Sequence, residues 1–169
     1  TAFSTQPVVH IVDAEANLAA SPGNVTVAIT TGTGDADATL SGTTTVAAVN
    51  GVASFTDLSI DKAASGYTLT FSVSSLTSGV SSSFTISPGA ASALQFSTQP
   101  VGERVGRRLR VQPAVTVTDA AGNTVDSTAA ISLSLTAGAG TTGATLGGAA
   151  TVNALSGVAT FSGLRIDLL

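Results

Sequence analysis

The 169-residue chain has no cysteine, no methionine and no tryptophan, and a single tyrosine, Tyr67, a single histidine, His10, and a single lysine, Lys62. Without cysteine it has neither disulfides nor thiolate metal sites, so any stability outside a cell has to come from packing. Charged residues make up 9% of the chain, against about 25% in ordinary globular domains. The net charge of −4 favours solubility and argues against a nucleic-acid partner. Nowhere does an apolar run approach the roughly 20 residues of a membrane span. The opening Thr1-Ala2-Phe3 has no Met, basic region or apolar stretch of the signal-peptide kind. The expectation is a segment excised or processed from a longer secreted protein. What is abundant is Thr, Ser, Ala, Val and Gly, residues that suit pleated, half-buried strands and their turns. The core is left to Val, Ile, Leu and six Phe, adequate for two domains of roughly a hundred residues.

The chain contains the same pattern twice. Residues 7–63 align without a gap on residues 113–169, at an offset of 106. Pro7, Val9, Asp13, Asn17, Gly51, Phe55, Leu58 and Ile60 recur as Pro113, Val115, Asp119, Asn123, Gly157, Phe161, Leu164 and Ile166. A period of this length is too long for a solenoid unit and suits one small domain.

Each period reads as strands. Val9 and Ile11 alternate with polar neighbours, and so do Val25, Val27 and Ile29, whose counterparts are Ile131, Leu133 and Leu135. Tyr67, Leu69, Phe71 and Val73 form the clearest run of period two, and Phe84 and Ile86 close the first copy. One face on a core and one in water gives this alternation. Turn clusters separate the runs: Asp13 to Asn17, Ser21-Pro22-Gly23-Asn24, Gly32 to Asp35, Asn50-Gly51 and Ala64 to Gly66. Asn50-Gly51 is the strongest hairpin signal, because both central residues of a type I′ turn need positive φ; Ser156-Gly157 is its weaker equivalent. Val52 and Phe55 are out of phase with one another, which predicts a β-bulge that turns both inward. Tyr67, after Ser65-Gly66, is placed where a buried strand tyrosine can bond a backbone group upstream. About seven short strands per period, with turns every 8–12 residues, predict an all-β antiparallel sandwich.

The two copies join at Ile86-Ser-Pro88-Gly89-Ala-Ala-Ser-Ala93, giving domains at 1–89 and 90–169. Phe3-Ser-Thr-Gln-Pro7 repeats the Phe96-to-Pro100 motif but runs directly into Val8, whereas residues 101–112 intervene in copy two, so the first copy has a short opening strand. The linker with "LQFSTQP", then "PAVTVTDAAGNTV", "GVATFSGLRID" beside "GVASFTDLSID", and "SGYTLTFSV" followed by "SSFTISPG" resemble the bacterial immunoglobulin-like (Big-type) repeats of large surface and adhesin-type proteins. The likeness covers almost the whole chain. It implies tandem Greek-key immunoglobulin-like sandwiches, an extracellular location and a spacer or adhesion role, and it brings no catalytic residues.

Chemistry is sparse. His10 lies between Val9 and Ile11 on the polar phase and copy two has Thr116 in its place, so a solvent-facing strand histidine is expected. One unrepeated His and no Cys assemble neither a nucleophile–base pair nor a conventional zinc site. Asp13, Glu15 and Asn17 place three oxygen donors at alternate positions, and Asp35 and Asp37 add two; such donors suit calcium. Copy two keeps only Asp119 and Asn123 and has Thr141 and Gly143 for the later acids. Asp and Asn also serve turns through bonds to backbone, and that is the expectation for Asp13. No cofactor is expected, with calcium the alternative. Lys62, beside Asp61, is replaced by Leu168 in copy two and sits at a strand end, which disfavours a Lys–Asp or Lys–Asn amide staple. Arg104, Arg107, Arg108 and Arg110 form the one charge cluster. They read as guards of an exposed first-strand edge, with anion binding the alternative. Without interleaved aromatics, they are not expected to stack on bases.

Val9, Val27, Ile29, Leu40, Val52, Phe55, Leu58 and Ile60 are expected to be buried, each with its copy-two partner. Leu169 aligns with Ala63, so copy two has no counterpart to residues 64–89 and is expected to lack its last two strands. An opened core face and bare strand edges then predict either a loosely ordered second half or completion by another chain. The functional expectation is a non-enzymatic stalk, filament or adhesive segment of a bacterial surface or secreted protein. Its partners would be neighbouring repeats or another copy of the chain, with a surface glycan or protein as further ligand. Two alternatives are a subunit of an extracellular filament or phage structure built by strand complementation, and a carbohydrate-binding accessory module. The scarcity of aromatic platforms speaks against the second.

Overall fold

The computed structural model describes residues 3–19, 23–74, 76–102, 104–138 and 140–168. Ser21 and Pro22 of one predicted turn, and Leu169 at the end of the alignment, lie outside the described residues. Among those described, the fold is all-β: seventeen strands, every pairing antiparallel and no helix. It follows that none of these residues forms a helix long and apolar enough to cross a membrane. The chain divides into two compact units, Thr1–Ser87 and Pro88–Leu169.

In the first unit β1 (Val8–His10) pairs with β5 (Val52–Ser54). A four-stranded sheet runs β4 (Thr45–Ala47), β2 (Asn24–Ile29), β8 (Leu69–Ser72) and β9 (Gly79–Val80). Two short ladders join β3 (Leu40–Ser41) to β6 (Ser59–Ile60) and β7 (Ala64–Tyr67) to β10 (Phe84–Ile86). The run from Tyr67 to Val73, a single strand by its period, is two strands in different sheets. It breaks at Thr68, so that Tyr67 pairs with Phe84 and Phe71 with Val27.

In the second unit β11 (Ala93–Thr98), β12 (Ala114–Thr118) and β16 (Val158–Thr160) form one sheet. Two-stranded ladders join β13 (Ala130–Ser132) to β15 (Thr151–Asn153) and β14 (Ala144–Gly147) to β17 (Arg165–Leu168). The registers repeat: Val9 faces Ala53 as Val115 faces Ala159, and Leu40 faces Ile60 as Leu146 faces Ile166. Both predicted hairpins have the type I′ backbone, with φ of 51° and 78° at Asn50-Gly51 and 47° and 82° at Ser156-Gly157.

The cores repeat too. Ile11, Val25, Ala53, Phe55 and Leu58 are buried in the first unit, and their partners Val117, Ile131, Ala159, Phe161 and Leu164 in the second. The expected bulge at Val52 is absent. The β1–β5 register is unbroken, Ala53 and Phe55 point inward with period two, and Val52 is only half-buried. Alanine carries little apolar surface, so Ala53 gave no signal, yet it and Ala159 are fully enclosed where strands approach closely. Ile29 and Leu40 are half-buried rather than buried, and so are Leu135, Leu146, Val158 and Ile166.

Where the cores differ, a strand is the reason. Val115 is buried while Val9 is half-buried; β12, which carries Val115, has β11 and β16 beside it, whereas β1 has β5 among the described strands. Val27 is buried while Leu133 is half-buried, because Phe71 of β8 lies opposite Val27 and β13 has only β15.

Candidate functional site

The polar side chains that recur at the 106-residue offset act on the backbone. The Gln6 amide donates to the Phe3 and Leu58 carbonyls and accepts from the Leu58 N–H at 3.0 Å. Gln112 repeats the three bonds with Leu109 and Leu164. Each glutamine thus fixes the segment that precedes β1 or β12 onto the chain after Phe55 or Phe161. The sequence reading missed this pair, which stands one residue ahead of the aligned stretch, although the 106-residue spacing and the Pro that follows each Gln were visible.

Asp13 adopts the predicted turn role. Its carboxylate accepts from the backbone N–H of Asn17 at 2.8 Å and of Glu15 at 3.1 Å, and the Asn17 side-chain amide also points a donor at it. The Asn17 N–H bond, with that side chain and the Glu15 N–H, holds the carboxyl below its ordinary range. Asp119 has the equivalent bonds to Asn123 and Ala121, plus the N–H of Gly89 in the linker at 2.8 Å. It is 7% exposed, and chiefly through the Asn123 side chain its pKa is pulled down to about 2. A donor amide facing the carboxylate consumes the lone pairs a cation would need. Among the described residues no three His, Asp or Glu side chains gather as metal ligands would; Asp13, Glu15 and Asn17 share a turn, and Asp35 accepts from the Asp37 N–H.

Tyr67 is fully buried, and its hydroxyl donates to the Lys62 carbonyl oxygen at 2.9 Å, the upstream bond expected of it. Its ring stacks on Phe84, and burial raises its pKa. Gly34, at φ 66°, lies against the ring so closely that a Cβ there would overlap it. Lys62 is half-buried in the turn after β6. Asp57, which the sequence reading did not single out, accepts from the Thr43 N–H and hydroxyl, and the first of these lowers its pKa most.

The arginines are placed differently from expectation. Arg104, Arg107, Arg108 and Arg110 are exposed, but their segment does not flank β11. It runs along β17: Gly106 donates to Ile166, Arg108 bridges to Arg165, and Leu109 donates to Leu164. The segment therefore covers the β17 edge itself, backbone to backbone, and its side chains are left at the surface. Arg165 pairs with Asp167 at 2.9 Å on the same strand.

One large concavity lies in the first unit. A groove of about 1170 Å³ runs beside residues 3–14, with Leu69, Phe71, Val73 and Phe84 in its lining and exposed His10 and Asp13 on its rim. No protein-family model matches the chain, and neither a curated protein nor a solved structure does.

Proposed function

We propose that the chain is part of a tandem array of immunoglobulin-like sandwiches, a non-enzymatic stalk, filament or adhesive segment of a bacterial surface or secreted protein. The observation that carries this reading is that the two units repeat their scaffold and not a site. The glutamine clamp, the aspartate turn, the type I′ hairpin and the buried phenylalanine recur 106 residues apart. His10, Glu15, Lys62 and the arginine cluster do not recur. Repeated structural residues with unrepeated surface chemistry are what a load-bearing or spacing element requires, since each copy has to fold and none has to react. A cysteine-free, weakly charged composition suits a long secreted chain that must avoid mispaired thiols.

The native protein tests this reading. Its intact mass and tandem peptides are expected to reveal further copies at the same period, and antibodies to this segment are expected to label the outside of unpermeabilised cells. A cytoplasmic protein with only these two copies would overturn the array.

A further inference from the structure

The arginines of the second unit carry charge that the fold does not use. Four of the chain's six cationic residues lie in residues 101–112, with one of its ten acids, Glu103, in a chain of net charge −4. The segment is a hairpin. Val101 and Val111 exchange backbone bonds, and the return arm lies on β17 through Gly106 and Leu109. Both sides of that arm are engaged, so protection of a bare edge does not account for its arginines.

Leu109 packs on the second unit's core, and by alternation Arg108 and Arg110 point away from it, where both are exposed. Arg108 stands directly opposite Arg165, and like charges in that position destabilise a strand pair. Arg165 and the Asp167 carboxylate lie flat over Gly147, where a Cβ would overlap both. Their ion pair, at 2.9 Å, engages Asp167 with Arg165. Among the described residues no side chain pairs with Arg104, Arg107 or Arg108. The Arg107 N–H donates to the Arg104 carbonyl, which brings those two together at the tip of the hairpin. The first unit, in which β7 to β10 follow β6, leaves the same face open. Ser4, at the position of Arg110, is exposed, and Ser59, at the position of Arg165, is half-buried as Arg165 is. Neither is charged, so the patch belongs to one copy. Charge that opposes the local fold and recurs nowhere else points to a task other than folding.

We infer that this face of the second unit is a binding surface for an anionic polysaccharide, gripped by Arg104, Arg107 and Arg108 with Arg110 beside them. Planar guanidinium forks match the paired oxygens of carboxylate, sulfate and phosphate groups. Outward residues of an extended strand repeat about every 6.6 Å, so the charges form a row along the hairpin. A row suits anions repeated along a chain, whereas one small ion is held from several sides. A nucleic-acid strand is better served by aromatic rings among the cations, and residues 101–112 have none. That the polyanion is a glycan rests on the array reading; the arginine surface itself does not.

The test titrates the full chain with heparin, which offers sulfate and carboxylate, and with polygalacturonate, which offers carboxylate alone, at about 150 mM salt. Saturable binding of at least one is expected, and the better of the two identifies the anion. The triple variant Arg104→Gln, Arg107→Gln, Arg108→Gln is expected to lose at least tenfold in affinity. Its melting temperature should be unchanged or raised, since it removes a like-charge contact and no bond. The same three positions changed to Lys keep the charge and lose the fork, and should bind about threefold more weakly than the parent. Asp167→Asn frees Arg165 and should bind more tightly. Equal binding by the Gln variant overturns the assignment, and equal binding by the Lys variant does so too, because diffuse charge alone then suffices. Tighter binding of oligothymidylate than of either glycan overturns it, as does the absence of saturable binding at millimolar disaccharide. A cytoplasmic native protein whose arginines hold these glycans refutes the array and leaves the surface standing. An extracellular array that ignores both glycans refutes the surface alone.

Discussion

Removing the duplicated phenylalanine probes both cores with the same chemical change. Phe55 and Phe161 are 2% and 1% exposed, so truncation to Ala leaves a ring-sized void in each unit. Such changes cost about 3–5 kcal/mol, depending on how far the surroundings relax. The two sites differ. Phe55 packs against Phe71 with ring centroids 5.9 Å apart, and an aromatic pair adds about 0.5–1.5 kcal/mol beyond area. Among the described residues no aromatic ring pairs with Phe161, so its truncation forfeits no such pair. Phe55→Ala is therefore expected near the upper end of the range and Phe161→Ala near the lower. Two units need not unfold together, so a single melting curve is the wrong measure. Native-state amide exchange at Ala53 and at Ala159 reads each core separately. The expected acceleration is about a hundred- to a few-thousand-fold, confined to the mutated unit. Acceleration under tenfold at either site, or equal acceleration in both units from one substitution, would refute the equivalence of the cores.

Further outcomes follow from the polar scaffold. Asp119 has a folded pKa of about 2, below its ordinary 3.8, so its stabilisation is complete above the ordinary value and fades as pH falls from there through about 2; the second unit should lose protection in that window, and Asp119→Asn should flatten the dependence. Tyr67→Phe leaves the Lys62 carbonyl without its donor and should cost about 1–3 kcal/mol by denaturant titration, while Gly34→Ala, which drives a methyl into the same ring at positive φ, should cost at least as much. Ser156→Asn should raise stability by about 0.5 kcal/mol, because Asn tolerates the left-handed backbone of the type I′ turn, and Asn50→Ser should lower it comparably; unchanged melting temperatures in both would contradict the turn argument.

Side chains with large or special signals were legible before the structure. Phe55, Leu58 and Tyr67 are buried because bulky apolar surface leaves water wherever a strand alternates, and Asn50-Gly51 turns because few other pairs hold two positive φ angles. Residues whose role depends on a distant partner were not legible. Ala53 matters only because neighbouring strands close on it, and Gln6 only because Leu58, far along the chain, offers both a donor and an acceptor. The arginine segment was assigned to the wrong edge for the same reason, since its company along β17 is set by register.

By itself the chain's linear order determined that there are two copies, that both are β, and that Phe55 and Leu58 with their partners Phe161 and Leu164 are buried at the common centre, because period and alternation are local properties of a sequence. Only the tertiary structure decided which strand edges are covered. That depends on long-range pairing, in which β11 caps β12 and β8 caps β2 among the described residues. Backbone hydrogen-bonding capacity is the same at every residue, so nothing in the identity of Ala114, Thr116 or Thr118 reveals that β11 takes their edge; only the position of that strand in space does.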